Sequence, residues 1–121
     1  MIQKFDITSV HTIVDDKLQK YLMKKIGQLD RYVPRAGRDS AHAEVMLKEA
    51  KSKENDRYTC EVTLHLPHEV INVSESTPNM YSAIDIVEAK LKHQIEKYKE
   101  LHASGGLHRR LANRLAKKSI A

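Results

Sequence analysis

The hydrophobic period of this chain switches from two to nearly four and back, and each segment has one apolar side to bury. Phe5 and Ile7 alternate with Lys4, Asp6 and Thr8, which predicts a half-buried strand over residues 2–8. Leu18, Leu22, Ile26 and Leu29 recur at intervals of four, four and three, so residues 15–32 read as an amphipathic helix. Asp15 or Asp16 supplies its N-cap, and Val33-Pro34 stops it. After a loop at residues 37–40, three alternating segments follow. Residues 41–49 turn Ala43, Val45 and Leu47 inward; residues 56–66 turn Tyr58, Cys60, Val62, Leu64 and Leu66 inward; residues 69–76 centre on Ile71 and Val73. Short connections at residues 52–55 and at Pro67-His68 predict an antiparallel meander. Thr77-Pro78-Asn79 opens a last helix, with Met80, Ile84, Val87, Leu91, Ile95 and Tyr98 on one stripe to about residue 102.

One stripe per helix and one apolar face per strand leave a single arrangement that buries all of them. It is an α+β fold, a two-layer β-α-β-β-β-α sandwich in which a four-stranded sheet carries both helices on one face. The other face, with Thr59, Glu61, Thr63 and His65, is left to water. The layering is similar to that of a double-stranded-RNA-binding domain. With 121 residues, 40% of them hydrophobic, there is material for one small core. No apolar run approaches the roughly 18 residues that span a bilayer, and no signal-peptide core opens the chain, so a cytoplasmic protein with no membrane partner is expected. The single cysteine, Cys60, rules out an internal disulfide and any zinc site with two thiolates.

The formal net charge is +5, and its distribution is more informative than its size. Residues 1–79 hold 12 bases and 12 acids, residues 80–102 hold four of each, and residues 103–121 hold five bases and no acid. This divides the chain into a formally neutral body, 1–102, and a basic C-terminal tail, 103–121, that follows the small residues Ala103-Ser104-Gly105-Gly106. In the tail, Leu107, Leu111 and Leu115 make a short apolar stripe among Arg109, Arg110 and Arg114, which is expected to order only on a partner. Within the body the charges segregate. At 100° per residue, Lys17, Lys20, Lys24 and Arg31 fall within about 60° on the polar side of the first helix. Lys90, His93 and Lys97 flank the stripe of the last helix, while Asp85, Glu88 and Glu96 lie on the other flank or behind. Helices packed side by side would join these basic flanks into one phosphate-binding surface. The competing reading is a solvated basic face without a partner. With no Trp and one Phe, recognition of folded RNA shape is favoured over stacking on splayed bases.

Groups for catalysis do not converge. His65 and His68 have a two-ligand spacing and His42 approaches across the sheet, but Pro67 breaks the strand and exposed strand-end histidines are the simpler reading, so no metal is assigned. Cys60 alternates with core residues and reads as packing. No glycine-rich phosphate loop is present, and neither an enzyme nor a cofactor is implied.

The run Asn79-Met80-Tyr81-Ser82-Ala83-Ile84-Asp85, then Lys90-Leu91, Gln94-Ile95 and Lys97, resembles the last helix of the ribosome hibernation promoting factor and ribosome-associated inhibitor A family, the sigma-54 modulation proteins. Members of that family carry D-M-Y-x-A-I-[DN] followed by K-L-x-R-Q-L-x-K. The resemblance extends to Ile7-Thr8-Ser9, the Asp15 cap, and Leu18, Leu22, Lys25, Ile26, Leu29 and Tyr32, over residues 2 to about 100. It implies a non-catalytic factor, monomeric when free, that binds the 30S subunit through 16S rRNA in the channel of mRNA and tRNA. Such a factor blocks translation under stress and acts on 70S or paired 100S ribosomes. The implied rRNA-binding residues are Lys25, Lys90, Lys97 and Lys99, with Tyr81 and Asp85 from the motif; Lys17, Lys20, Lys24 and His93 join them from the charge pattern, and Arg109, Arg110 and Arg114 from the tail. Asn79 stands where the family commonly has Asp, His93 where it often has Arg, and Gln28 where Lys is common. The tail is basic where the inhibitor type is acidic, which leaves open whether ribosome pairing is promoted or blocked. A general module for structured RNA is the alternative.

Overall fold

In a computed structural model of the chain, which describes residues 2–51 and 56–102, the changes of period become the element boundaries. Strand β1 spans Lys4–Val10, β2 His42–Ala50, β3 Arg57–Leu66 and β4 Glu69–Thr77; helix α1 spans Asp16–Lys25, the four-residue α2 Arg35–Arg38, and α3 Met80–His102. The sheet order is β1-β2-β3-β4. Strands β2, β3 and β4 form the expected antiparallel meander, and β1 pairs with β2 in parallel, Ile7 opposite Val45. A parallel pair needs a long crossover, and the segment containing α1 supplies it.

The inward residues Ala43, Val45, Leu47, Cys60, Val62 and Leu64 are buried together with Leu18, Leu22, Ile26, Ile84, Val87, Leu91 and Ile95. Both main helices therefore cover one face of the sheet, and the fold is the expected two-layer α+β sandwich. The expected likeness to a double-stranded-RNA-binding domain is not established by this topology, whose sheet is mixed and has four strands.

The first helix is shorter than its stripe predicts. It ends at Lys25; Ile26 N–H and Gly27 N–H both donate to the Leu22 carbonyl, at 2.7 and 3.2 Å, and residues Leu29–Tyr32 continue as a 3₁₀ turn. A β-carbon on Gly27 would stand 2.6 Å from the Met23 carbonyl oxygen, so the tight turn requires glycine. The Gly27 carbonyl in turn accepts from Ile2 N–H at 2.8 Å, tying the N-terminus to this turn. Ile26, Leu29 and Val33 stay buried although the helix has ended, because tertiary packing holds their side chains in the core. The β3–β4 hairpin turns through Pro67 and His68, and His68 takes the left-handed φ of 70°. That pairing, proline first and a positive φ second, matches a type II turn.

Cys60 is fully buried, and burial pushes its thiol up to about 12. The native thiol should resist alkylation at pH 8 and react once the chain is unfolded in denaturant, because the thiolate is the reactive form. Native-state alkylation at the rate of a free thiol, followed by mass spectrometry, would contradict the burial.

Candidate nucleic-acid interface

Each main helix is started by a side chain that satisfies its first N–H groups. The Asp15 carboxylate accepts from Leu18 N–H at 2.7 Å, and the Asn79 side-chain Oδ1 accepts from Tyr81 and Ser82 N–H at 2.8 and 3.3 Å. Asn79 therefore caps α3 with an uncharged side chain. The caps fix where the helices begin, and burial of their apolar stripes against the sheet turns the polar residues outward.

Where α1 and α3 meet, the flanks are complementary rather than uniformly basic. The Tyr21 hydroxyl donates to the Asp85 carboxylate, and Lys25 Nζ lies 3.8 Å from Asp85 and 4.0 Å from Glu88. Glu88 also meets Lys92 at 3.8 Å, one turn along α3. The Tyr21 and Tyr81 rings pack edge to face with centroids 4.9 Å apart, and Lys17 Nζ lies 5.7 Å from the Tyr81 centroid. Lys17, Lys25, Tyr81 and Asp85 thus come together, joined by Tyr21 and Glu88, which the sequence did not single out. A Lys17-Tyr21-Lys25 spacing of four was the available signal on α1, but its acidic partner on α3 appears only when the helices are packed.

The hydrogen bond to Asp85, with smaller contributions from burial and from the Asp85 and Glu88 charges, pushes the Tyr21 phenol up to about 12. The fold favours the neutral phenol. Its contribution to stability is complete below the ordinary value near 10 and is lost as the pH climbs through about 12. Tyr21→Phe should flatten the fall of stability across that window; the same alkaline dependence in both proteins, measured by denaturant unfolding, would contradict the contact.

Lys90, His93 and Lys97 are exposed on α3, and Lys90 and His93 line a cleft with Asn72, Val73 and Ser74 of β4. The expected single surface joining them to the basic side of α1 is not formed, because α3 turns Asp85 and Glu88 toward α1. Lys90 Nζ is 2.6 Å from Glu75 on β4, and this contact holds the Glu75 carboxyl below its usual range. Arg31 leaves the lysine stripe of the first helix, since α1 ends at Lys25; its guanidinium lies 5.0 Å from the Tyr32 centroid. Among the described residues, Lys20, Lys24, Lys97 and Lys99 are exposed and make no ion pair. The helical layer therefore presents unneutralised lysines on both helices while Asp85 and Glu88 are engaged along the seam. Arg109, Arg110 and Arg114 lie outside the described residues. No helix among the described residues is long and apolar enough to cross a membrane.

The family described as "Sigma 54 modulation protein / S30EA ribosomal protein" matches residues 5–102. A ribosome hibernation promotion factor of Lactococcus lactis subsp. cremoris (strain MG1363) is 34% identical over 96 residues, covering 79% of this chain and 49% of the relative. A second one, from Staphylococcus aureus (strain COL), is 30% identical over 96 residues, covering 79% and 48%. The chain thus spans about half the length of the curated relatives it matches. Among solved structures, the N-terminal domain of Protein Y from Thermus thermophilus superposes with a TM-score of 0.65 at 28% identity, covering 80% of this chain and 97% of that one. A ribosomal subunit interface protein from Coxiella burnetii shares the fold with a TM-score of 0.64 at 23% identity, covering 80% and 98%.

Proposed function

The chain belongs to the Sigma 54 modulation protein / S30EA ribosomal protein family, and on that premise we propose that it is a ribosome hibernation factor. It binds the 30S subunit through 16S rRNA, occupies the channel of mRNA and tRNA, and blocks translation by steric exclusion rather than catalysis. The curated relatives are named for ribosome hibernation, which supports the class of activity. The observation that carries the surface is the distribution of charge over the helical layer. Lys20 and Lys24 on α1 and Lys97 and Lys99 on α3 are exposed and free of ion pairs among the described residues, so phosphates are the counter-charges these separate groups of lysines, on either side of the acidic seam, can take. Lys17, Lys25, Tyr81 and Asp85 set the seam between the helices, and His93 adds a contact beside Lys90 on α3.

In this reading residues 1–102 form the ribosome-binding domain, monomeric when free and cytoplasmic, and residues 103–121 add nonspecific affinity for RNA through Arg109, Arg110 and Arg114. The partner is the 30S subunit, alone or within 70S and 100S ribosomes. A sucrose-gradient profile of ribosomes with and without the full chain tests it. The protein should migrate with 30S and 70S particles and leave them as salt is raised, and the same gradient reports any 100S peak. Failure to migrate with any particle containing a small subunit, or displacement by an equal concentration of duplex RNA, would overturn the ribosome-specific reading.

A further inference from the structure

The sheet face turned away from the helices gathers two imidazoles and two carboxylates, and we propose that His42, Glu44 and His65 bind a divalent first-row transition-metal ion, zinc foremost, with Asp6 as the fourth ligand. The strands build this site directly. His42 and His65 are partners across β2 and β3, and Glu44 lies two residues along β2 on the same face. Asp6 is the partner of Glu44 across the parallel pair β1 and β2. One ligand atom each from His42, Glu44 and His65 lies within 4.8 Å of the other two. Bonds of about 2.0–2.1 Å in a tetrahedral set separate ligands by roughly 3.4 Å. The side chains must therefore close by about 1.5 Å, and their partial exposure lets them do so by rotation about side-chain bonds, without moving the strands.

The present contacts are those of a set of ligands waiting to converge. His42 Nε2 meets Asp6 Oδ2 at 2.8 Å, and the two imidazoles stack with centroids 5.3 Å apart and planes 25° from parallel. The Nε2 of His65 is shielded from water, makes no hydrogen bond, and has Glu44 Oε2 at 3.5 Å. A polar nitrogen in that state is costly, and ligation of an ion satisfies it. Two neutral imidazoles and two carboxylates balance a dication. A nitrogen and oxygen set without thiolate suits zinc, nickel or copper better than magnesium or calcium. His68, which sequence spacing pairs with His65, stands in the β3–β4 turn and is not part of the cluster. The site lies on the opposite face of the sheet from the lysines of the helical layer, so its test is independent of ribosome binding.

Equilibrium dialysis of the full chain against zinc chloride, with bound metal counted by elemental analysis, should give one saturable ion per chain. His42→Gln combined with His65→Gln should abolish that ion, and Glu44→Gln should weaken it at least about tenfold. In the unsubstituted protein, the ring resonances of His42 and His65 should move together during the first equivalent of zinc, ahead of those of His11, His68 and His93. The proposal is overturned by zinc uptake that survives the double substitution, by the absence of saturation near one equivalent, or by first-equivalent shifts at other histidines. The resonance measurement decides the matter even if the doubly substituted chain fails to fold.

Discussion

Reversing Lys20, Lys24 and Lys97 to glutamate together should lower affinity for the 30S subunit about a hundredfold near physiological salt. It should also flatten the dependence of log affinity on log salt by about two to three. All three lysines are exposed and make no ion pair among the described residues, so each is free to displace condensed counterions from a phosphate. One such contact contributes roughly 0.7–0.9 to the salt slope, which at 0.15 M salt corresponds to about fivefold in affinity, and three contacts multiply. Reversal at Lys90 should do less. That lysine already sits 2.6 Å from Glu75, and the pair must open before Lys90 can hold a phosphate, so part of its electrostatic gain is lost in advance. Filter binding or cosedimentation across a salt series reads both quantities. An unchanged affinity and slope in the triple variant would place the ribosome-binding surface somewhere other than the helical layer.

Leu91→Ala should cost about 3 kcal/mol of folding stability, within the 2–5 kcal/mol seen when a fully buried leucine is truncated. Leu91 is completely buried on the inner stripe of α3, among core residues contributed by both layers. Truncation removes apolar contacts and leaves a cavity that the sheet cannot collapse to fill. For a domain of about 100 residues the melting temperature should fall by roughly 15 °C. The midpoint of urea unfolding should fall with it while the slope is preserved. Leu101→Ala, ten residues along the same helix at 71% exposure, should change stability by no more than about 0.5 kcal/mol. Equal losses at the two positions would mean that α3 does not present the stripe to the sheet that its burial pattern describes.

The helix faces and strand faces were legible because hydrophobic period is local. Leu18, Leu22, Ile84, Leu91 and Ile95 announce their burial by spacing alone, and each is in the core. The end of α1 was less legible. Ile26 and Leu29 keep the apolar spacing beyond Lys25, while Gly27, which needs the room that a β-carbon would fill, turns the backbone out of the helix. Lysines of the candidate interface were equally readable as residues, but their partners were not. Glu75 reaches Lys90 across 15 positions and Asp85 reaches Tyr21 across 64, so nothing in either neighbourhood reveals the contact.

By itself, then, the sequence determined the layers of this protein, since a chain with one apolar side per segment can bury all of them only as helices on one face of a sheet. It also determined which residues carry charge on the helical surface. The tertiary structure alone decided which of those charges remain available. The direction in which α3 lies beside α1 turns Asp85 and Glu88 into the seam and leaves Lys97 to the outside, and the pairing of β1 beside β2 brings Asp6 to His42. Those outcomes depend on the register and rotation of elements far apart in the chain, and electrostatic energy depends on the distance between charges in space rather than along the sequence.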